Sequence, residues 1–414
     1  MTTSIAAVPE RLRVDFDPFD PRLCEPVDHF QERVAELAKI GPVLYSTAHG
    51  GYWVVTGYPE IHQVMRDPAT FSSWPNNIVP HGAGRFLPLE LDPPDHTALR
   101  HALQPLFNPA RMKKLEPEIR AIVNELIDGF AAKGHAEFIS EFAHELPTRV
   151  FLALMGWPLE DAALFTECTD TTLLGKPGAS EEESNAARMD AAARLTEYFL
   201  DVIRDRRARP EDSADVTTVI VNTEVELEGE TRLLTEQELG NLFHLLAIAG
   251  LHTTQGSLAW GLTYLAAQPE QRQRLLDNPA MVPSVVEEVL RIEAAVSPGR
   301  KAVRDTELGG VRVKAGDQLL CVLAGANRDE REFSKPTEMI VDRTPNRHLS
   351  FGAGPHRCIG SHLARVELAI AFEELHRRIP DYRLDPEEQT ISHPSQTRGV
   401  IRMPIRFSPE ESAG

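Results

Sequence analysis

The stretch LSFGAGPHRCIGSHLAR, residues 349–365, sets a single cysteine, Cys358, between a glycine-rich approach and an apolar pattern of helical period. Gly352 and Gly354 can take backbone conformations that other residues resist. After Cys358 the run IGSHLARVELAIAFEEL repeats its apolar residues at helical spacing, so the cysteine is expected at a helix N-terminus. Unpaired backbone N–H groups and the positive end of the helix dipole favour a thiolate there, the form that a metal or an electrophile requires. Three kinds of chemistry fit such a residue: a buried structural thiol, a nucleophilic or redox thiol, and a single axial ligand to haem iron. Cys24, Cys168 and Cys321 are remote from it and from one another, with no CxxC pair, which argues against a disulfide scaffold and against a structural zinc site.

A second set of polar residues lies within a helix that has to be buried. TEQE at 235–238 is a capping box, and the helical pattern behind it continues as LGNLFHLLAIAGLHTTQGSLAWGLTYLAA until Pro269. From Leu242 to Leu251 it is apolar on all sides apart from His244, as in a helix that crosses the interior. Ala249 and Gly250 remove bulk in its middle, and His252, Thr253 and Thr254 put polar groups where burial should be deepest. Taken alone, this segment is equally a packing notch with hydroxyls bonded back along the helix. Two further pairs share helix faces. Glu288 and Arg291 in EEVLR stand three apart, where a carboxylate can take a bidentate guanidinium. His96 and Arg100 in DPPDHTALR stand four apart behind a proline that can start a helix, and together suit a pair of carboxylates.

Helical patterns dominate from about residue 95 to 293, and the extended patterns YWVVTGY (52–58) and VRVKAGDQLLCVL (311–323) flank them. The expected architecture is an α-rich body with small β pieces drawn from distant parts of the chain. GKPGASEEES (175–184) reads as a mobile surface connection, not a domain boundary. With 43 Lys and Arg against 62 Asp and Glu, the formal net charge of -19 repels nucleic acid and anionic lipid. The start, MTTSIAAVPERLR, lacks the character of a signal peptide, and no apolar run approaches the length that spans a bilayer. A soluble cytoplasmic protein with reduced thiols is the expectation.

FGAGPHRCIG (351–360) resembles the haem-binding signature of the cytochrome P450 family, matching Phe351, Gly352, Gly354, His356, Cys358 and Gly360 in register. The resemblance extends over most of the chain, through DPPDHTALR (92–100), AGLHTT (249–254), EEVLR (287–291), ANRDEREF (326–333) and VDRTPNRHLSFG (341–352). It implies a mainly α (α+β) cytochrome P450 fold, one domain over residues 1–414 with a short flexible N-terminus at about 1–15 and a tail at about 409–414. It also implies haem b, with Cys358 as the iron ligand, Phe351 and Gly352 beside it, and Ala249 and Gly250 passing over the haem. His96, Arg100, Arg300 in SPGRKAV and His356 would meet the haem propionates. Glu288, Arg291 and Arg343 would form a buried network supporting the cysteine loop.

A thiolate ligand favours O–O cleavage, so the resemblance implies a monooxygenase that inserts one atom of O2 into an organic substrate. Thr253 matches the family's threonine on the central helix, but position 252 is histidine where the family generally has an acid. His252 can be a proton shuttle, a satisfied polar group with water delivering protons, or the mark of altered chemistry such as peroxide use. Leu245, Ile248, Ala249 and Val296 would face the space above iron, and Trp74, Ile78 and Phe86 would close it; each is equally plausible as a core residue. Their bulk suits a lipophilic or aromatic molecule. No flavin, nicotinamide or iron–sulfur motif is present, so electrons are expected from a separate ferredoxin and its reductase. Arg111, Lys113, Lys114, Arg347, Arg357 and Arg365 offer a basic docking patch, unless they are simply solvated. A monomer without nucleic-acid or membrane partners is expected. A haem-thiolate binding or sensing protein is the alternative from another class, and a thiol-dependent hydrolase a third, lacking a recognisable oxyanion site.

Overall fold

The computed structural model describes residues 2–79, 84–176, 178–209 and 215–410. Its axis is the helix Glu236–Ala267, 32 residues long and therefore about 48 Å end to end. Thr235 and Glu238 cap it reciprocally: the Glu238 N–H donates to Thr235 Oγ1 at 3.2 Å, and the Thr235 N–H donates to the Glu238 carboxylate at 2.7 Å. Pro269 ends the pattern and opens the next helix, Pro269–Asp277. This central helix joins two cores. Leu258, Trp260 and Leu262 pack with Phe372 and Leu368 of the helix Ser361–Arg378, whereas Leu242, Phe243 and Leu251 pack with Trp157, Phe165 and Phe199.

The described strands form five sheets, one of six strands and four of two or three. A six-stranded sheet runs Arg13–Val14, Val43–Ser46, Tyr52–Val55, Gln318–Cys321, Gly299–Ala302, Phe71–Ser72, so its strands come from chain segments some 300 residues apart. Tyr52–Val55 pairs in parallel with Gln318–Cys321, which pairs antiparallel with Gly299–Ala302 in a register that sets Arg300 opposite Leu319. The N-terminus differs from the flexible lead-in expected over 1–15. Val8 and Leu12 are buried, Arg13–Val14 adds to the sheet edge, and the Thr3 N–H and hydroxyl both donate to Asp317 at 2.7 and 2.6 Å. At the other end Arg378 pairs with Glu410, while residues 411–414 of the expected tail lie outside the described residues. The connection 175–184 is shorter than its composition implies, because Ser180 and Glu183 form a capping box that starts the helix Glu181–Ala208; Pro177 lies outside the described residues.

One buried histidine far from the cysteine makes the fold sensitive to acid. His376 Nδ1 donates to the Phe372 carbonyl at 2.7 Å, and the Tyr382 hydroxyl donates to Nε2 at 3.2 Å, which together fix the neutral ring. Burial lowers its pKa to about 4. Because the folded value lies below the ordinary one, the neutral ring contributes stability that is present above about pH 6.5 and is lost as pH falls through the folded value. His376→Gln should therefore flatten the acid limb of stability between about pH 6.5 and 4, by up to about 3 kcal/mol. Urea unfolding across that range checks it, and a limb as steep as wild type contradicts it.

Candidate active site

The loop carrying Cys358 is shaped by two left-handed glycines, Gly352 and Gly354, each with φ of 68°. The Gly352 N–H donates to the Leu349 carbonyl at 2.7 Å, and the Cys358 N–H returns to the Phe351 carbonyl at 2.8 Å. Gly354 is also sterically required: a Cβ there would stand 2.5 Å from the carbonyl oxygen of Met65, at the end of the helix Tyr58–Arg66. Cys358 sits three residues before Ser361, so it precedes the helix Ser361–Arg378 and does not occupy its first turn. Its side chain is accessible, although burial among surrounding atoms pushes the thiol pKa up; an accessible atom so deep in the protein borders an internal opening. The Gly360 N–H and the charges of Arg100, Arg357 and Arg365 pull the other way. Cys168 and Cys321 are buried and Cys24 half-buried, so Cys358 is the one exposed thiol of the four.

Cationic and imidazole groups surround this loop. Arg100, on the helix Asp95–Leu103, donates to the Arg357 carbonyl at 2.6 Å. From the same helix His96 lays its ring 3.8 Å from that of His356, whose Nε2 meets Ser73 Oγ at 2.9 Å. Arg300 is buried on its strand and donates through one nitrogen to the Gly299 carbonyl at 2.7 Å and to Asn76 at 3.3 Å. Among the described residues neither Arg100 nor Arg300 pairs with a carboxylate, and His96 Nδ1 is buried without a partner. Burial, reinforced by Arg100, lowers the His96 pKa to about 4, and burial with Arg300, His96 and Arg100 lowers that of His356 to about 2. The charge of Asp92, which accepts from the Ser73 N–H at 2.9 Å, acts on His96 and Arg300 from nearby.

The central helix has an opening of its own. Ala249 is exposed between buried Ala247 and Leu251, and Leu245, Ile248 and Thr253 on the same face are half-buried. Thr253 Oγ1 donates to the Ala249 carbonyl at 2.8 Å. Further down, Gly261 meets the cysteine helix so closely that a Cβ would stand 2.5 Å from Phe372.

Residues 173–408 match the family model described as cytochrome P450. The chain is also 36% identical, over 85% of its length and 89% of the relative's, to the mycinamicin IV hydroxylase/epoxidase of Micromonospora griseorubida. It belongs to the cytochrome P450 family. Solved structures agree: this P450 superposes on CYP101J2 with a TM-score of 0.85 and 28% identity, over 99% of this chain and 100% of the other. Cytochrome P450 CYP109Q5 from Chondromyces apiculatus gives 0.83 and 29%, over 97% and 100%.

The family's cofactor is haem b, and the residues present fit it. One accessible thiol suits a single axial ligand, and two arginines without carboxylate partners beside an unpartnered imidazole nitrogen suit two propionates. Exposed Ala249 leaves the central helix without bulk at that point, as a flat ligand packed there would require. Half-buried Phe351 lies under the Arg365 guanidinium, 4.5 Å from its ring centre, beside the ligand loop. Gly250 is not a tight contact, since a Cβ there would meet only Phe151 at 3.7 Å.

Glu288, Arg291 and Arg343 come together as a buried network. Both Glu288 oxygens accept from Arg291 at 2.8 Å and from Arg343 at 3.0 to 3.1 Å. Asn346 and the Ile340 N–H also donate to Glu288.

The pocket residues divide. Trp74, Phe86 and Val296 are half-buried, whereas Ile78 is buried in the core around the sheet. Gln396, which sequence reasoning missed, holds this wall: its Oε1 accepts from the Ile78 N–H at 2.8 Å and its Nε2 donates to the Ser297 carbonyl at 3.0 Å. The proposed basic patch is smaller than its sequence implies. Arg347 pairs with Glu332 at 2.7 Å and Arg365 with Glu287 at 2.6 Å, leaving Lys113, Lys114 and Arg357 exposed with no ion pair among the described residues. His252 is buried, and its Nε2 lies 3.7 Å from Asp170 on the helix Ala162–Leu174. No periodicity links Asp170, or the nearby His144, to the cysteine motif.

Proposed function

We propose that this P450 inserts one atom of O2 into a lipophilic or aromatic small molecule, with electrons from a separate ferredoxin and its reductase. The observation that carries this reading is the pairing of an accessible Cys358 with a central helix opened at Ala249 and flanked by Leu245 and Ile248. Haem held by Cys358 supplies the oxygen activation; the chain's own residues bind, orient and move protons. Leu245, Ile248, Val296, Trp74 and Phe86 supply an apolar wall, and Ile78 backs it from the core. Thr253, whose hydroxyl proton is committed to the Ala249 carbonyl, keeps its oxygen lone pairs free to accept a hydrogen bond. Asp170 is the carboxyl nearest position 252, its Oδ1 3.7 Å from His252 Nε2. We assign proton delivery to His252, next to Thr253 in the chain.

We read the chain as one domain acting as a cytoplasmic monomer. Among the described residues no helix is long and apolar enough to cross a membrane. The second reading, a haem-thiolate binding protein or a peroxide-using variant, is favoured by burial of His252, which lowers its pKa to about 3 and keeps it neutral. Product formed per reducing equivalent with a surrogate ferredoxin system separates the two. Coupled product formation supports the monooxygenase, and product only with added peroxide, or none with any ligand that shifts the haem spectrum, supports the second.

Exposed Lys113 and Arg357 offer the docking face for an acidic ferredoxin. Their double charge reversal, Lys113→Glu with Arg357→Glu, should slow reduction about tenfold or more at low salt, an effect that fades as ionic strength rises. Stopped-flow reduction checks this, and an unchanged low-salt rate rejects that face.

A further inference from the structure

We propose that His144, Asp170 and His252 form a binding site for a divalent transition-metal ion of the zinc class, separate from the haem. The three residues come from different elements: His144 immediately precedes the helix Glu145–Met155, Asp170 lies on Ala162–Leu174, and His252 on the central helix. One ligand atom from each falls within 4.8 Å of the others. His144 Nε2 stands 3.5 Å and His252 Nε2 3.7 Å from the same Asp170 oxygen, Oδ1. Ligand atoms around a tetrahedral zinc with bonds of about 2.0–2.1 Å stand about 3.4 Å apart, which both distances to Asp170 match within a few tenths of an ångström.

The spacing is informative because it suits neither alternative. A proton shared between imidazole and carboxylate would draw the pair to about 2.7–3.2 Å. Without a proton or a cation, lone pairs face one another. His252 is 5% exposed, yet its Nε2 has no hydrogen-bond partner, and neither has Asp170 Oδ1. Such orphaned atoms are rare in folded proteins and call for a missing partner. Among the described residues no Lys or Arg pairs with Asp170; its ionic neighbours are the two histidines.

Two imidazoles and one carboxylate with open positions are a donor set for zinc or non-haem iron, not for calcium or magnesium. The side chains of His144 and Asp170 retain 16% and 28% exposure, which leaves an entry path and room for a water ligand. A bound ion would occupy the His252 nitrogen assigned above to proton delivery, but binding itself does not depend on that role.

The test uses the full-length haem-loaded protein, stripped of adventitious metal by chelator and titrated with Zn2+ by calorimetry. One Zn2+ per chain is expected, weakened at least about tenfold in both Asp170→Asn and His144→Gln. It should be unchanged in His135→Gln, which alters an exposed histidine elsewhere. The ferrous carbon monoxide spectrum verifies that each variant is folded. Equal zinc affinity in wild type, Asp170→Asn and His144→Gln overturns the site. If a variant does not fold, zinc-soaked wild-type crystals decide by anomalous scattering at the zinc edge. A peak between the three side chains supports the site, and zinc found only elsewhere, or nowhere, overturns it.

Discussion

Replacing Glu288 with alanine should cost about 3–5 kcal/mol of stability, the penalty for leaving buried charge uncompensated. Glu288 and Arg291 are both fully buried, and the Arg343 side chain is 5% exposed, so the substitution strands two guanidinium groups away from water. These arginines also organise backbone. Arg291 donates to the carbonyls of Asn327, Pro336 and Glu338, and Arg343 to those of Ser334, Lys335 and Glu338. Asn327 in turn accepts from the Leu349 N–H at 2.7 Å and donates to Ser350 at 2.8 Å, where the cysteine loop begins. Loss of Glu288 should therefore also release haem. Urea unfolding of the haem-loaded variant, with pigment retention measured in parallel, tests both effects. A change below about 1 kcal/mol would place the pair among ordinary surface ion pairs.

Cys358→Ala should do the opposite: abolish product formation to background while changing the stability of the haem-free fold by no more than about 0.5 kcal/mol. The side chain is accessible, and its loop is held by backbone bonds from Gly352 and Cys358 that alanine preserves. Chemistry and stability thus separate onto two residues of one supporting system. A haem-free Cys358→Ala protein destabilised by several kcal/mol would mean that the sulfur is a structural thiol, the first alternative its sequence leaves open.

Features written in local chemistry were legible from the sequence. The Thr235–Glu238 capping box and Pro269 bound the central helix, because caps and breakers act within a few residues. Gly354 signalled a strained turn, and the structure adds the Met65 carbonyl that forbids a side chain there. The Glu288–Arg291 spacing gave the pair but not the carbonyls of Asn327, Pro336 and Glu338 that Arg291 also holds. What depended on assembly was not legible. Asp170 and His144 meet His252 only after three helices pack, and no period connects positions 144, 170 and 252. The N-terminal residues looked like a loose lead-in because their partner, Asp317, lies some 300 residues away. Arg347 and Arg365 looked like free docking charges because a single sequence does not reveal which carboxylates will face them.

Everything about the active site depends on the Cys358 sulfur binding haem iron as a thiolate. The direct measurement is the absorption spectrum of the dithionite-reduced, haem-loaded protein under carbon monoxide. The expected result is the long-wavelength Soret band produced by thiolate ligation, lost in Cys358→Ala. A folded, fully haem-loaded wild-type protein that shows only the shorter-wavelength band of a neutral ligand would contradict the assignment.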